Sequence, residues 1–171
     1  MIKKIWMVIG ILSIACLPAI SQKKKKTMPV VVAPPSYEIL KTQAAQGIQS
    51  SYNAYKDIAL QIWNYAELGY KETQSTALLQ AILKNEGFVV QAGIADIPTA
   101  FVATYGSGSP VIAILAEYDA LPGLAQRAVP EKSAIEGQAG GHGCGHHLFG
   151  TASVAAGIAI KKLLEEKKIS G

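Results

Sequence analysis

All three histidines of this chain, and one of its two cysteines, fall within six residues: His142-Gly143-Cys144-Gly145-His146-His147. Gly137, Gly140, Gly141, Gly143, Gly145 and Gly150 surround them. So many residues without a Cβ let the backbone approach an ion or ligand closely. Imidazole nitrogen and thiolate sulfur are the donors that zinc and its neighbours prefer, and packing gives no reason to collect them in one loop. Cys144 and His146, two residues apart, can converge on one metal from an extended or kinked backbone, whereas on a helix they would diverge. A helix starting near Leu148 would turn its positive end toward the loop and favour thiolate over thiol, as ligand or as nucleophile. A metal centre, a reactive thiol and neither of these all stay open. A closed structural zinc site needs four protein ligands; the loop holds at most four candidates, His142, Cys144, His146 and His147, and the adjacent His146 and His147 can hardly both bind one ion.

The N-terminus is read apart from the fold. Met1–Lys4 is basic, Ile5–Ile20 is an apolar run containing Pro18, and Ala19-Ile20-Ser21 offers small residues at a cleavage site. This is the pattern of a secretory signal over residues 1–21, and the run is short for a bilayer span. Cys16 suggests a lipoprotein, but Ser13 stands where such a signal wants a branched aliphatic residue. The expected location is secreted or periplasmic, with no stable membrane insertion after cleavage. Loss of Lys3 and Lys4 lowers the formal charge from +4 to about +2. Residues 22–35 read as a basic, Pro/Val-rich linker, with Lys23–Lys26 a solvated run. No interleaved aromatics accompany it, so nucleic acid is not an expected partner. With Cys16 removed, Cys144 has no intramolecular partner and is buried, reactive or metal-bound.

Residues 36–171 form one domain with a real core. Tyr37, Leu40, Ala44, Ile48, Tyr52, Tyr55, Ala59 and Ile62 trace one stripe of a long helix behind Ser36, with Gly47 a point of interruption. The turn Glu67-Leu68-Gly69 ends it. A second helix is predicted from Thr73 to Asn85, stopped by Gly87. The period then changes, and Phe88–Val90, Thr99–Tyr105 and Val111–Ala116 read as strands. A last helix covers Leu148–Lys168, small and apolar in its first half. The fold class is α/β, a mixed sheet flanked by helices. Val111–Ala116 is apolar without alternation, the mark of a strand covered on both faces. It runs into Glu117-Tyr118-Asp119, whose carboxylates at i and i+2 point to one side, at the strand end where α/β sheets place ligands. Asp119 can equally be read as capping the turn at Pro122-Gly123.

The ordered motifs Asn64-Tyr65-Ala66-Glu67-Leu68-Gly69-Tyr70-Lys71-Glu72, Gly87-Phe88-Val89-Val90, Ile97-Pro98-Thr99-Ala100-Phe101, Ala116-Glu117-Tyr118-Asp119-Ala120-Leu121-Pro122-Gly123 and Gly141-His142-Gly143-Cys144-Gly145-His146 together resemble the aminoacylase-like family of metal-dependent amidohydrolases and peptidases. The resemblance covers residues 38–170. It is closest to the branch with aminobenzoyl-glutamate hydrolases, auxin-conjugate hydrolases and N-acyl-amino-acid or dipeptide hydrolases. It implies the N-terminal part of a zinc-peptidase-like catalytic domain holding one or two ions of zinc, manganese or cobalt. By the match, Cys144 and His146 are metal ligands, Asp119 supports the site from behind, and Glu117 occupies a place where other branches carry a ligand. The metal would polarise an amide carbonyl and lower the pKa of bound water, with a glutamate as general base.

Two departures stand out: Ala66 replaces a frequent proline, and His147 replaces an aspartate or asparagine. In relatives the general-base glutamate, a neighbouring glutamate ligand, later histidines and a dimerising lid all follow the last helix. The expectation is therefore an incomplete site, inactive alone, in a protein that is a homodimer at full length and acts on a small amide or dipeptide. The alternatives are a non-catalytic metal-binding remnant and a thiol-dependent enzyme using Cys144.

Overall fold

The computed structural model describes residues 35–167 and 170–171. The expected signal at 1–21 and the linker up to residue 34 lie outside the described residues, as does Lys168, the expected last residue of the final helix.

The long N-terminal stripe becomes two helices, α1 (Pro35–Ser50) and α2 (Tyr52–Tyr65). Pro35 opens α1, where its missing N–H would have had no partner and its fixed φ suits the first turn. The break falls at Ser51, not at Gly47, which stays helical. Helix α2 ends where Ala66 takes a left-handed conformation, φ 48°. A proline ring cannot reach that angle, so the replacement at residue 66 changes the local backbone. Helix α3 (Thr73–Asn85) has the bounds its periodicity predicts. Gly87, at φ 86°, lets the chain turn back so that the Gly87 and Phe88 N–H groups donate to the carbonyls of Lys84 and Leu83.

The class is α/β, with its strand content in two short antiparallel ladders. Strands β1 (Val89–Ala92) and β2 (Phe101–Thr104) pair with Val89 opposite Thr104 and Ala92 opposite Phe101. Strands β3 (Leu121–Pro122) and β4 (Gly140–Gly141) form the second ladder, and a single parallel bridge joins Leu68 to Ala120. Val111–Ala116 departs from expectation: it forms no strand, and Val111 is 85% and Leu115 73% exposed. Apolar character selects a segment for burial, but a strand exists only where a neighbour completes its hydrogen bonds. Among the described residues none runs beside it. The side chain of Ser153 holds it at one point, donating to the Leu115 carbonyl at 2.7 Å.

Helix α4 (His146–Lys167) packs across the others. The core is Ile62 of α2, Leu79 and Leu83 of α3, and Val154 and Ile158 of α4, edged by Phe88, Val90, Phe101 and Tyr118. Helix α4 can lie so close because Gly150 faces the chain before Asp119. A Cβ there would sit 2.8 Å from the Glu117 carbonyl oxygen. This close approach sets the start of α4 against the two carboxylates.

Candidate metal centre

Helix α4 begins two residues earlier than its sequence pattern predicts, at His146. Gly145, at φ 92°, turns the loop into the helix, and its carbonyl accepts from the N–H groups of Leu148 and Phe149. Placing both histidines on the first turn separates them, because successive helical residues point about 100° apart. His146 faces the carboxylates. His147 faces the core.

The His146 ring lies between two acids. Its Nδ1 is 2.8 Å from Asp119 Oδ1, and its Nε2 is 3.0 Å from Glu117 Oε2. One donor atom from each of Glu117, Asp119 and His146 falls within 4.8 Å of the others, a possible metal site. The donor chemistry fits a divalent ion. A carboxylate that takes the Nδ1 proton of a histidine fixes its tautomer and leaves Nε2 to a metal, the usual arrangement around histidine ligands. Asp119 has that position, and Glu117 stands on the Nε2 side. Cys144 lies exposed two residues before His146, outside this three-residue group.

His142 and His147 lie outside this three-residue group. They are 1% and 7% exposed, and both pack on Trp63, with ring centroids 6.3 and 4.8 Å from it. Neither His142 ring nitrogen, nor Nδ1 of His147, meets a hydrogen-bond partner among the described residues. Burial and the neighbouring His142 push His147 down to about 4. Burial also lowers His142, outweighing the Ile62 carbonyl and Asp119, which favour its charged form. Both are neutral packing groups at ordinary pH. Trp63 carried no signal in the sequence that would mark it as their partner.

Glu67 was legible only as part of a motif, yet it organises the region. Its carboxylate accepts from the N–H groups of Gln74 and Ser75, both at 2.9 Å, and from the hydroxyls of Thr73 and Ser75. It thereby supplies the cap that α3 lacks from its own preceding residue. Its carbonyl accepts from the Ala120 N–H at 2.7 Å, tying the turn after α2 to the residue beside Asp119. Gly141 closes the other side: a Cβ there would collide with the Leu124 carbonyl.

The comparisons with known proteins bear on the family. No family model matches the chain. By its relatives, the chain belongs to the aminoacylase-like family of amidohydrolases and peptidases. One of the subunits of the p-aminobenzoyl-glutamate hydrolase of Escherichia coli (strain K12) is 46% identical over 120 residues, 70% of this chain and 25% of that protein. The Xaa-Arg dipeptidase of Mus musculus is 30% identical over 139 residues, 75% of this chain and 28% of the relative. Thermostable carboxypeptidase 1 of Saccharolobus solfataricus is 34% identical over 91 residues, 52% and 22% of the two chains. The chain spans about a quarter of the length of the curated relatives it matches.

Proposed function

We propose that this chain carries part of the centre of a metal-dependent hydrolase that cleaves the amide bond of an N-acyl or N-aminoacyl amino acid. The observation that carries this is the His146 ring held between Asp119 and Glu117. In the proposal, His146 Nε2 and Cys144 ligate the ion, Glu117 stands beside it, and Asp119 holds the imidazole from behind. Zinc, manganese or cobalt, bound there, would act as a Lewis acid on the amide carbonyl and acidify water. Residues 36–171 are assigned to the catalytic domain. By the family resemblance, the general base is assigned to a glutamate that follows α4, outside the described residues. The relatives' names support the substrate class: an aminobenzoyl-glutamate is an N-acyl amino acid, and an Xaa-Arg dipeptide an N-aminoacyl one. The reading extends to a secreted or periplasmic protein and to a homodimer at full length.

A thiol-dependent enzyme is less well supported. Its cysteine needs an imidazole as base, but His146 faces two acids while His142 and His147 are buried on Trp63.

The test is titration of the chain with zinc and cobalt, beside assays of the full-length protein on p-aminobenzoyl-glutamate and Xaa-Arg dipeptides. Binding should be lost in His146→Ala and weakened in Cys144→Ser, and hydrolysis should stop with a chelator. No metal in the full-length protein, together with activity indifferent to chelators, would overturn the metal reading. Activity that resists chelation but falls to thiol alkylation would establish the thiol enzyme instead.

A further inference from the structure

We propose that Tyr118 is a positioning residue for the metal centre: its side chain is the strut that sets how Glu117 and Asp119 meet His146. The inference rests on the metal reading above. It starts from the chain's alternation: Glu117 and Asp119 point to one side of the backbone and Tyr118 to the other.

The stretch that carries the carboxylates has little else to hold it. Residues 111–119 form no ladder, and the side chains of Glu117 and Asp119 are 49% and 26% exposed. Fixed points lie on either side, at the Leu115 carbonyl, held by Ser153, and at the Ala120 N–H, held by the Glu67 carbonyl. Between them, Tyr118 is the side chain that reaches the core cluster. Its ring stacks on Phe101, centroids 6.1 Å apart and planes 30° off parallel. Its hydroxyl donates to the Thr99 carbonyl and lies 3.3 Å from the Thr76 hydroxyl.

The far end of the strut is itself anchored. The Thr76 hydroxyl donates to the same Thr99 carbonyl at 2.8 Å, and the Thr99 hydroxyl donates to the Glu72 carboxylate at 2.6 Å. Thr76, Thr99 and Glu72 are all buried, at the start of α3 and beside β2. The tyrosine therefore joins an irregular, half-exposed segment to a buried, hydrogen-bonded polar network. Groups that directly orient metal ligands are worth about 10- to 100-fold in affinity, and Tyr118, acting through the backbone between Glu117 and Asp119, is expected at the low end of that range.

The experiment compares zinc dissociation constants of the full chain and of Tyr118→Phe, by competition with a chromophoric chelator. It is run at a temperature where circular dichroism shows every variant folded. Tyr118→Phe keeps the ring stack and removes the hydroxyl, and it should weaken zinc by about tenfold. It should also shift the visible spectrum of the cobalt form, which reports ligand geometry. Thr99→Val, which cuts the strut's anchor to Glu72, should move both readouts in the same direction, so the idea stays testable if Tyr118→Phe does not fold. Ile158→Val, a mild core truncation, should move neither, which separates positioning from general loss of stability. Wild-type affinity and an unchanged cobalt spectrum in Tyr118→Phe and Thr99→Val would overturn the strut and leave the metal reading standing. Wild-type protein, at full length as well as in this chain, that binds neither zinc nor cobalt would overturn the metal reading and the strut with it.

Discussion

Asp119 Oδ1 and His146 Nδ1 lie 2.8 Å apart, joining the residue after an irregular apolar segment to the first turn of α4. The pair orients the imidazole so that Nε2 points toward Glu117. Replacing Asp119 with alanine should leave the ring free to rotate and lower zinc affinity by about 10- to 100-fold. A competition titration against a chelator of known affinity measures this, and unchanged affinity would mean that Asp119 does not orient His146.

The His147 ring gives the domain an acid limit. Its value in the folded state, about 4, lies below the ordinary 6.5, because burial beside Trp63 and His142 disfavours the imidazolium. The unfolded chain thus binds more protons between these values, so stability is complete above about pH 6.5 and falls as the pH drops toward 4. The full loss is roughly 3 kcal/mol, at 1.36 kcal/mol for each pKa unit. Urea midpoints of the metal-free chain at pH 7.5 and pH 4.5 should show it. His147→Phe should flatten that slope; an equal slope in both proteins would assign it to other groups.

Glu67 should matter to stability without touching the metal. Burial raises its pKa, but the Gln74 and Ser75 N–H groups and the Ser75 and Thr73 hydroxyls outweigh this and hold it below the ordinary carboxylate value. Its contribution is present above that ordinary value and disappears as the pH falls through the lowered one. Glu67→Gln should cost about 1–2 kcal/mol, the range for a helix cap or a hydrogen bond to a charged group. Thermal melts at pH 7 check this. A melting temperature equal to wild type would show that solvent caps α3 as well as Glu67 does.

Gly150 is the contact that keeps α4 against the site. Gly150→Ala places a methyl 2.8 Å from the Glu117 carbonyl oxygen and 3.1 Å from the Tyr118 Cβ. Both neighbours belong to the carboxylate segment, so relief must come from moving it or the helix. The expected cost is about 1–3 kcal/mol in stability, with weaker zinc binding. Calorimetric melts together with a zinc titration test it, and wild-type values in both would show that the helix can yield without moving the site.

The sequence alone offered candidates for the site. Clustered donors among glycines drew attention to the loop, and the i, i+2 carboxylates offered Glu117 and Asp119 as a pair on one side, with a turn cap as the equal reading of Asp119; the structure brings both beside His146. Helix α3 was legible to its ends, since its apolar period and Gly87 are both local. The tertiary structure decided the rest. It started α4 at His146, which sends His146 to the acids and His147 to Trp63. It broke the first helical stripe at Ser51 and left Val111–Ala116 exposed and unpaired among the described residues. It also made Glu67 the cap of the helix that follows it. Each of these depends on a partner remote in sequence or on the fit of a backbone against Gly150, and local pattern carries no information about a neighbour that only folding brings near.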